Sequence, residues 1–95
     1  MNFENIIKQK STQPNDYLQV LQDLMGEIDA VYQYDYHISQ ATNNTTKNVW
    51  TAIRNDELTH IGMLLGLLEH LKPEYIMHLE KGHQEFLNLL ERANN

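Results

Sequence analysis

The apolar residues Leu18, Leu21, Leu24, Met25, Ile28, Val31 and Ile38 recur mostly at intervals of three and four, the period that returns to one face of an α-helix. Pro14-Asn15-Asp16 stands before them as a start signal, with Asn15 or Asp16 as the cap. The pattern predicts a first long helix from about Asp16 to about Gln40. Met1 to Gln13 is polar apart from Phe3, Ile6 and Ile7, and residues 1–15 read as a flexible N-terminal arm. Ala41 to Lys47 is a polar Asn/Thr segment of the length that joins two helices tightly, which makes the second helix antiparallel to the first. That helix runs to about Leu71. Between Ile61 and Leu68 it is apolar on nearly every side, and Gly62 and Gly66 share one face, where they either permit a close backbone approach or are merely tolerated. Pro73 suits the first turn of a third helix with the apolar line Tyr75, Leu79, Phe86 and Leu90, and Arg92 to Asn95 form a polar tail. No strand period and no internal repeat is present. The expected fold is all-α: an antiparallel two-helix hairpin plus a short C-terminal helix, with the helical domain over residues 16–91.

Two polar intrusions break this pattern. At about 100° per residue, Trp50, Ile53, Glu57, His60, Ile61, Leu64, Leu68 and Leu71 fall within about 60° of one line along the second helix. A carboxylate and an imidazole, one turn apart, therefore interrupt an apolar stripe. On the first helix Glu27 lies in the middle of the line Val20, Leu24, Val31, Tyr34 and Ile38. An ionised carboxylate on a buried face costs several kcal/mol unless it is paired or bound to a metal, so both helices call for a partner at these positions.

Composition narrows the chemistry. The chain has 95 residues, enough for one small domain whose core a second copy would help complete. It carries 13 acidic against 7 basic residues, a net charge of −6, and no Lys/Arg stripe suited to a phosphate backbone, so nucleic acid is not an expected partner. With no cysteine, disulfides, thiolate metal sites and thiol catalysis are excluded together. Met1 to Lys10 holds no apolar region of the signal-peptide kind, and the run Ile61 to Leu68 is too short to span a bilayer. The expected compartment is the cytoplasm, without a membrane partner.

A dinuclear carboxylate site in a four-helix bundle takes a Glu from each of two helices and a Glu-x-x-His turn from each of the other two. This chain offers half of that set, Glu27 with Glu57 and His60, so two chains would supply four Glu and two His. Four carboxylates balance two divalent ions, which predicts a homodimer forming a ferritin-like four-helix bundle with two ions shared across the interface. Carboxylate-rich ligation with imidazole suits iron first, with manganese or zinc as further candidates. Tyr34 lies two turns from Glu27 on the same face, as a donor to the ligands or as an ordinary core tyrosine. Glu80 and His83 repeat the Glu-x-x-His spacing, but Glu80 is at the margin of its apolar line and Gly82 weakens the helix there, so this copy reads as chance. His37, His70 and His78 read as solvated, and Met25, Met63 and Met77 as core filler. The alternative to a catalytic metal site is a helical interaction module whose Glu/His set is a structural metal site or an ion-paired core, with Arg54 as one available counter-charge.

The segments Met25-Gly26-Glu27-Ile28-Asp29-Ala30-Val31 with Tyr34-Asp35, then Arg54-Asn55-Asp56-Glu57-Leu58-Thr59-His60-Ile61-Gly62-Met63, then Glu74-Tyr75 leading to His78-Leu79, resemble the encapsulated ferritins, a ferritin-like family with short two-helix subunits. The resemblance covers roughly Leu21 to Phe86. It implies a ferroxidase: two chains meet to form a di-iron centre, dimers assemble into a ring of ten, and the ring sits inside an encapsulin shell that stores the iron. Glu27, Glu57 and His60 match the family's ligands and Tyr34 its nearby tyrosine. Of the further acids with which the family flanks its first ligand, one position is Gly26 here and the other Asp29; Gln33 stands where some relatives have tryptophan. Glu91-Arg92-Ala93-Asn94-Asn95 does not match the Leu/Gly-containing peptide by which such cargo docks.

Overall fold

The computed structural model describes the backbone of residues 3–94 and the side chains of residues 15–94. It is all-helical: α1 Phe3–Gln40, α2 Asn44–Leu71 and α3 Pro73–Asn94, with no strand among the described residues. α2 ends and α3 begins where the periodicity puts them, but α2 starts at Asn44, inside the segment Ala41 to Lys47 expected as the connection, because Asn43 caps it there. α1 departs further. It starts at Phe3, so the segment expected as a flexible arm is helical from Phe3 onward, and Pro14 lies inside the helix. Proline lacks one amide donor and crowds the preceding turn, which is why it reads as a boundary; the helix here continues across it, giving up that one bond. The side chains of Phe3, Ile6 and Ile7 lie outside the described residues, as do Met1, Asn2 and Asn95. At the other end α3 continues through the expected polar tail to Asn94.

The hairpin turn occupies residues 41–43. Asn43 caps α2: in extended conformation (φ −120°, ψ 130°), its side-chain oxygen accepts from the Thr46 amide at 3.1 Å. At the far end the Lys72 amide closes α2 on Leu68 O at 2.7 Å, and Pro73 opens α3. The Lys72 ammonium sits 4.4 Å over the Tyr17 ring, and Tyr75 meets Tyr17 edge-on at 5.7 Å, so this corner fastens the start of α3 to α1. Glu74, in the first turn of α3, has its carboxyl held below the usual carboxylate range, first by a hydrogen bond to backbone at its own residue and then by Lys72, 3.4 Å away.

Contacts along the hairpin show one continuous antiparallel register. His37 packs on Trp50 near the turn, with ring centres 5.1 Å apart. Ten residues back on α1 and ten forward on α2, Glu27 meets His60. Further along, Val20 and Leu24 meet Leu68. Arg54 Nη1 donates to Asp35 Oδ1 at 2.6 Å and ties the two helices between the turn and the Glu/His level.

The core is thin. Among the described residues the buried apolar side chains are Val20, Leu24 and Leu68. The inner lines expected on both helices are half-buried or buried at Val31, Tyr34, Ile38, Trp50, Ile53, Ile61, Leu64 and Leu71. Other residues expected to be buried are not. Leu18, Ile28 and Met25 are exposed, Met25 by 71%, and Met63 and Met77 are likewise exposed rather than core filler. Leu79, Phe86 and Leu90 of α3 are exposed too. The shape explains this, because the molecule measures 59 × 43 × 14 Å and is one layer of helices thick. Its radius of gyration is 18.9 Å, against about 12 Å for a compact chain of this length. Its accessible surface is 7781 Å², roughly 2,000 Å² more than a compact monomer of this mass exposes. A Cβ placed at Gly62 or Gly66 would meet nothing within 4 Å, so neither glycine is used for close packing within the described chain.

Candidate metal centre

Glu27 lies in the middle of α1, and Glu57 and His60 lie one turn apart on α2; the antiparallel register brings all three to the same level of the hairpin. His60 Nδ1 is 3.4 Å from Glu27 Oε1 and 3.6 Å from Glu57 Oε2. One ligand atom from each of the three residues lies within 4.8 Å of the others, and among the described residues this is the group of acids and histidines that converges so. The two carboxylate side chains are 25% and 21% exposed and the imidazole 49%. Glu27 Oε2 is buried and has no hydrogen-bond partner. A buried oxygen left unsatisfied costs about 1–3 kcal/mol, so its position calls for a ligand.

The three groups line an open concavity of about 530 Å³. Gln22, Asp23 and Met63 stand around it, and Gly26 and Ala30 keep α1 low beside Glu27. A cation binds carboxylate oxygen and imidazole nitrogen at about 2.0–2.2 Å, so its ligands can stand up to about 4.4 Å apart. Small side-chain rotations would bring the present set to that spacing. Three ligands from one chain leave an octahedral ion half-coordinated on the open side of the hairpin.

The remaining expectations divide. Tyr34 is seven residues from Glu27, about 10 Å along the helix axis; it does not line the concavity, and its ring stands edge-on to His37 at 5.9 Å. Asp29 also lies outside it, accepting a hydrogen bond from Gln33 Nε2 at 2.8 Å. Arg54, the available counter-charge for the Glu pair, bonds Asp35 instead. Glu80 and His83 line a separate cleft between α2 and α3, and are not joined to a converging ligand group. His37, His70 and His78 are exposed as expected, although His37 also packs on Trp50. Asp23 is the acid that sequence reasoning passed over. Its spacing of four from Glu27 puts it one turn earlier on the same face, and that signal was present in the chain.

Searches of protein-family models, of curated proteins and of solved structures find no match for this chain.

Proposed function

We propose that this protein is an Fe(II) oxidase of the encapsulated-ferritin kind, working at a carboxylate site completed when two chains face each other. The observation that carries the reading is the convergence of Glu27, Glu57 and His60 with one Glu27 oxygen buried and unpartnered. Two copies related by a two-fold axis over the concavity would supply four carboxylates and two imidazoles. Their four negative charges offset two divalent ions, which makes the filled dimeric site the neutral state. Glu27 and Glu57 hold the ferrous substrate, His60 supplies a nitrogen ligand on each side, and the paired ions give up one electron each to dioxygen or peroxide. Asp23 at the rim adds negative charge on the approach to the site. Manganese or zinc fits the same ligands, and a ring of such dimers held as cargo in an encapsulin shell is the assembly that the resemblance suggests.

The test is aerobic addition of Fe(II) with ferric absorbance followed against a Glu57→Ala variant. Fast oxidation by the native chain and the background rate in the variant are expected; normal turnover by the variant would overturn the assignment. A second reading rests on the two His60 to carboxylate distances, which also suit an ion-paired core or a structural zinc site. It predicts a helical oligomer that gains no Fe(II) oxidation above background while zinc stabilises it.

A further inference from the structure

The concavity that gathers Glu27, Glu57 and His60 also holds a sulfur atom. Met63 lines it from α2, three residues beyond His60 and so one helical turn further on. The chain has no cysteine, so thioethers are its only sulfur. A thioether is soft and apolar, and adds little to carboxylate oxygens suited to a hard cation. Packing does not account for Met63 either, since it is 69% exposed. What it brings to the concavity is a side chain that peroxide oxidises readily.

The peroxide has a source in the proposed Fe(II) oxidation, on which the inference rests. Two Fe(II) give one electron each to dioxygen, which takes up two protons and becomes hydrogen peroxide. That product is released beside Met63. The sulfur lone pair attacks one peroxide oxygen, the O–O bond breaks, and an S–O bond forms. The departing hydroxide takes the proton from the transferred oxygen and leaves as water. Sulfur loses two electrons, the peroxide gains the same two, and the products are methionine sulfoxide and water.

We infer that Met63 is an oxidative modification site that consumes peroxide formed at the carboxylates and spares His60, the oxidisable ligand one turn away. The sulfoxide exchanges an apolar thioether for a polar oxygen and is reversed by a sulfoxide reductase, so Met63 is used repeatedly. The same chain carries two controls. Met25 and Met77 are 71% and 68% exposed, matching Met63 in access to solvent. Neither lines the concavity: Met25 lines a separate apolar groove, and Met77 is on α3. Exposure alone oxidises all three alike, whereas proximity to the carboxylates singles out Met63.

The native protein is given Fe(II) in successive portions in air, with catalase in the medium to destroy escaped peroxide, and the sulfoxide at each methionine is quantified by peptide mass spectrometry. Metal-free protein treated with hydrogen peroxide sets the intrinsic reactivity of each position. Relative to that reference, sulfoxide at Met63 should exceed that at Met25 and Met77 several-fold. Fast ferric formation with sulfoxide spread evenly over the three, or absent from Met63, would overturn the inference while the oxidase reading stands; no ferric formation above background would overturn both. Met63→Leu keeps an apolar side chain of similar size and removes the sulfur. In this variant, checked for unchanged helicity, the added oxygen should move to His60, seen as several-fold more oxidised His60 per Fe(II) consumed than in the native chain. No rise at His60 would refute the protective role.

Discussion

Glu27 faces His60 with one oxygen and buries the other without a partner, an arrangement that costs stability and that a bound cation, as proposed, would relieve. Replacing Glu27 with Gln keeps the volume and removes one of two neighbouring negative charges. The variant should be more stable than the native chain without metal, by about 1 kcal/mol, and should lose the stabilisation that Mn(II) gives the native chain. Thermal melts of both proteins with and without Mn(II) check this; a Gln variant that Mn(II) stabilises as strongly as the native chain would remove Glu27 from the site. At this scale the converging trio was legible because helical spacing alone puts Glu57 and His60 together on an apolar stripe and Glu27 on another. Tyr34 was less so, since spacing gives the face it shares with Glu27 but not whether its hydroxyl spans the two turns between them; its ring instead meets His37, three residues along the same helix.

The elements are held at their ends and at one polar tie. Asn43→Ala removes the cap on the Thr46 amide and should cost about 1 kcal/mol, read as a lower denaturant midpoint at unchanged slope. Glu74 gives a pH signature. A carboxyl whose folded value is depressed contributes stability that is present above its unfolded value and lost as pH falls through the folded one. Glu74→Gln should therefore be slightly less stable than the native chain at neutral pH, with the difference vanishing in acid; a constant difference across that range would assign the effect to something other than charge. The end of α2 and the start of α3 were readable from the Lys-Pro signal, whereas the Asn/Thr segment marked the turn without showing that Asn43 already caps α2. The start of α1 was not, because Pro14 carries the same local signal whether it begins a helix or interrupts one, and only the continuation of the backbone on both sides separates the two cases.

For the whole molecule the decisive feature is a single layer of helices with three buried apolar residues among those described and many large apolar side chains in water. Leu18, Met25, Ile28, Phe86 and Leu90 follow the helical period correctly yet are exposed, since periodicity tells which face is apolar and not which chain covers it. A hairpin that carries carboxylates on one face and aliphatic groups on the other is understandable as a building block, completed by copies of itself. The proposed dimeric site belongs to that view, and its stoichiometry is the most direct point at which to test it. Fe(II) is titrated aerobically into the native protein in a stopped-flow cell and the amplitude of the fast ferric phase is measured per chain. A shared two-ion site predicts an amplitude that saturates at one Fe(II) per chain and disappears in Glu57→Ala; no fast phase above the protein-free rate, or one that survives the loss of Glu57, would contradict the account.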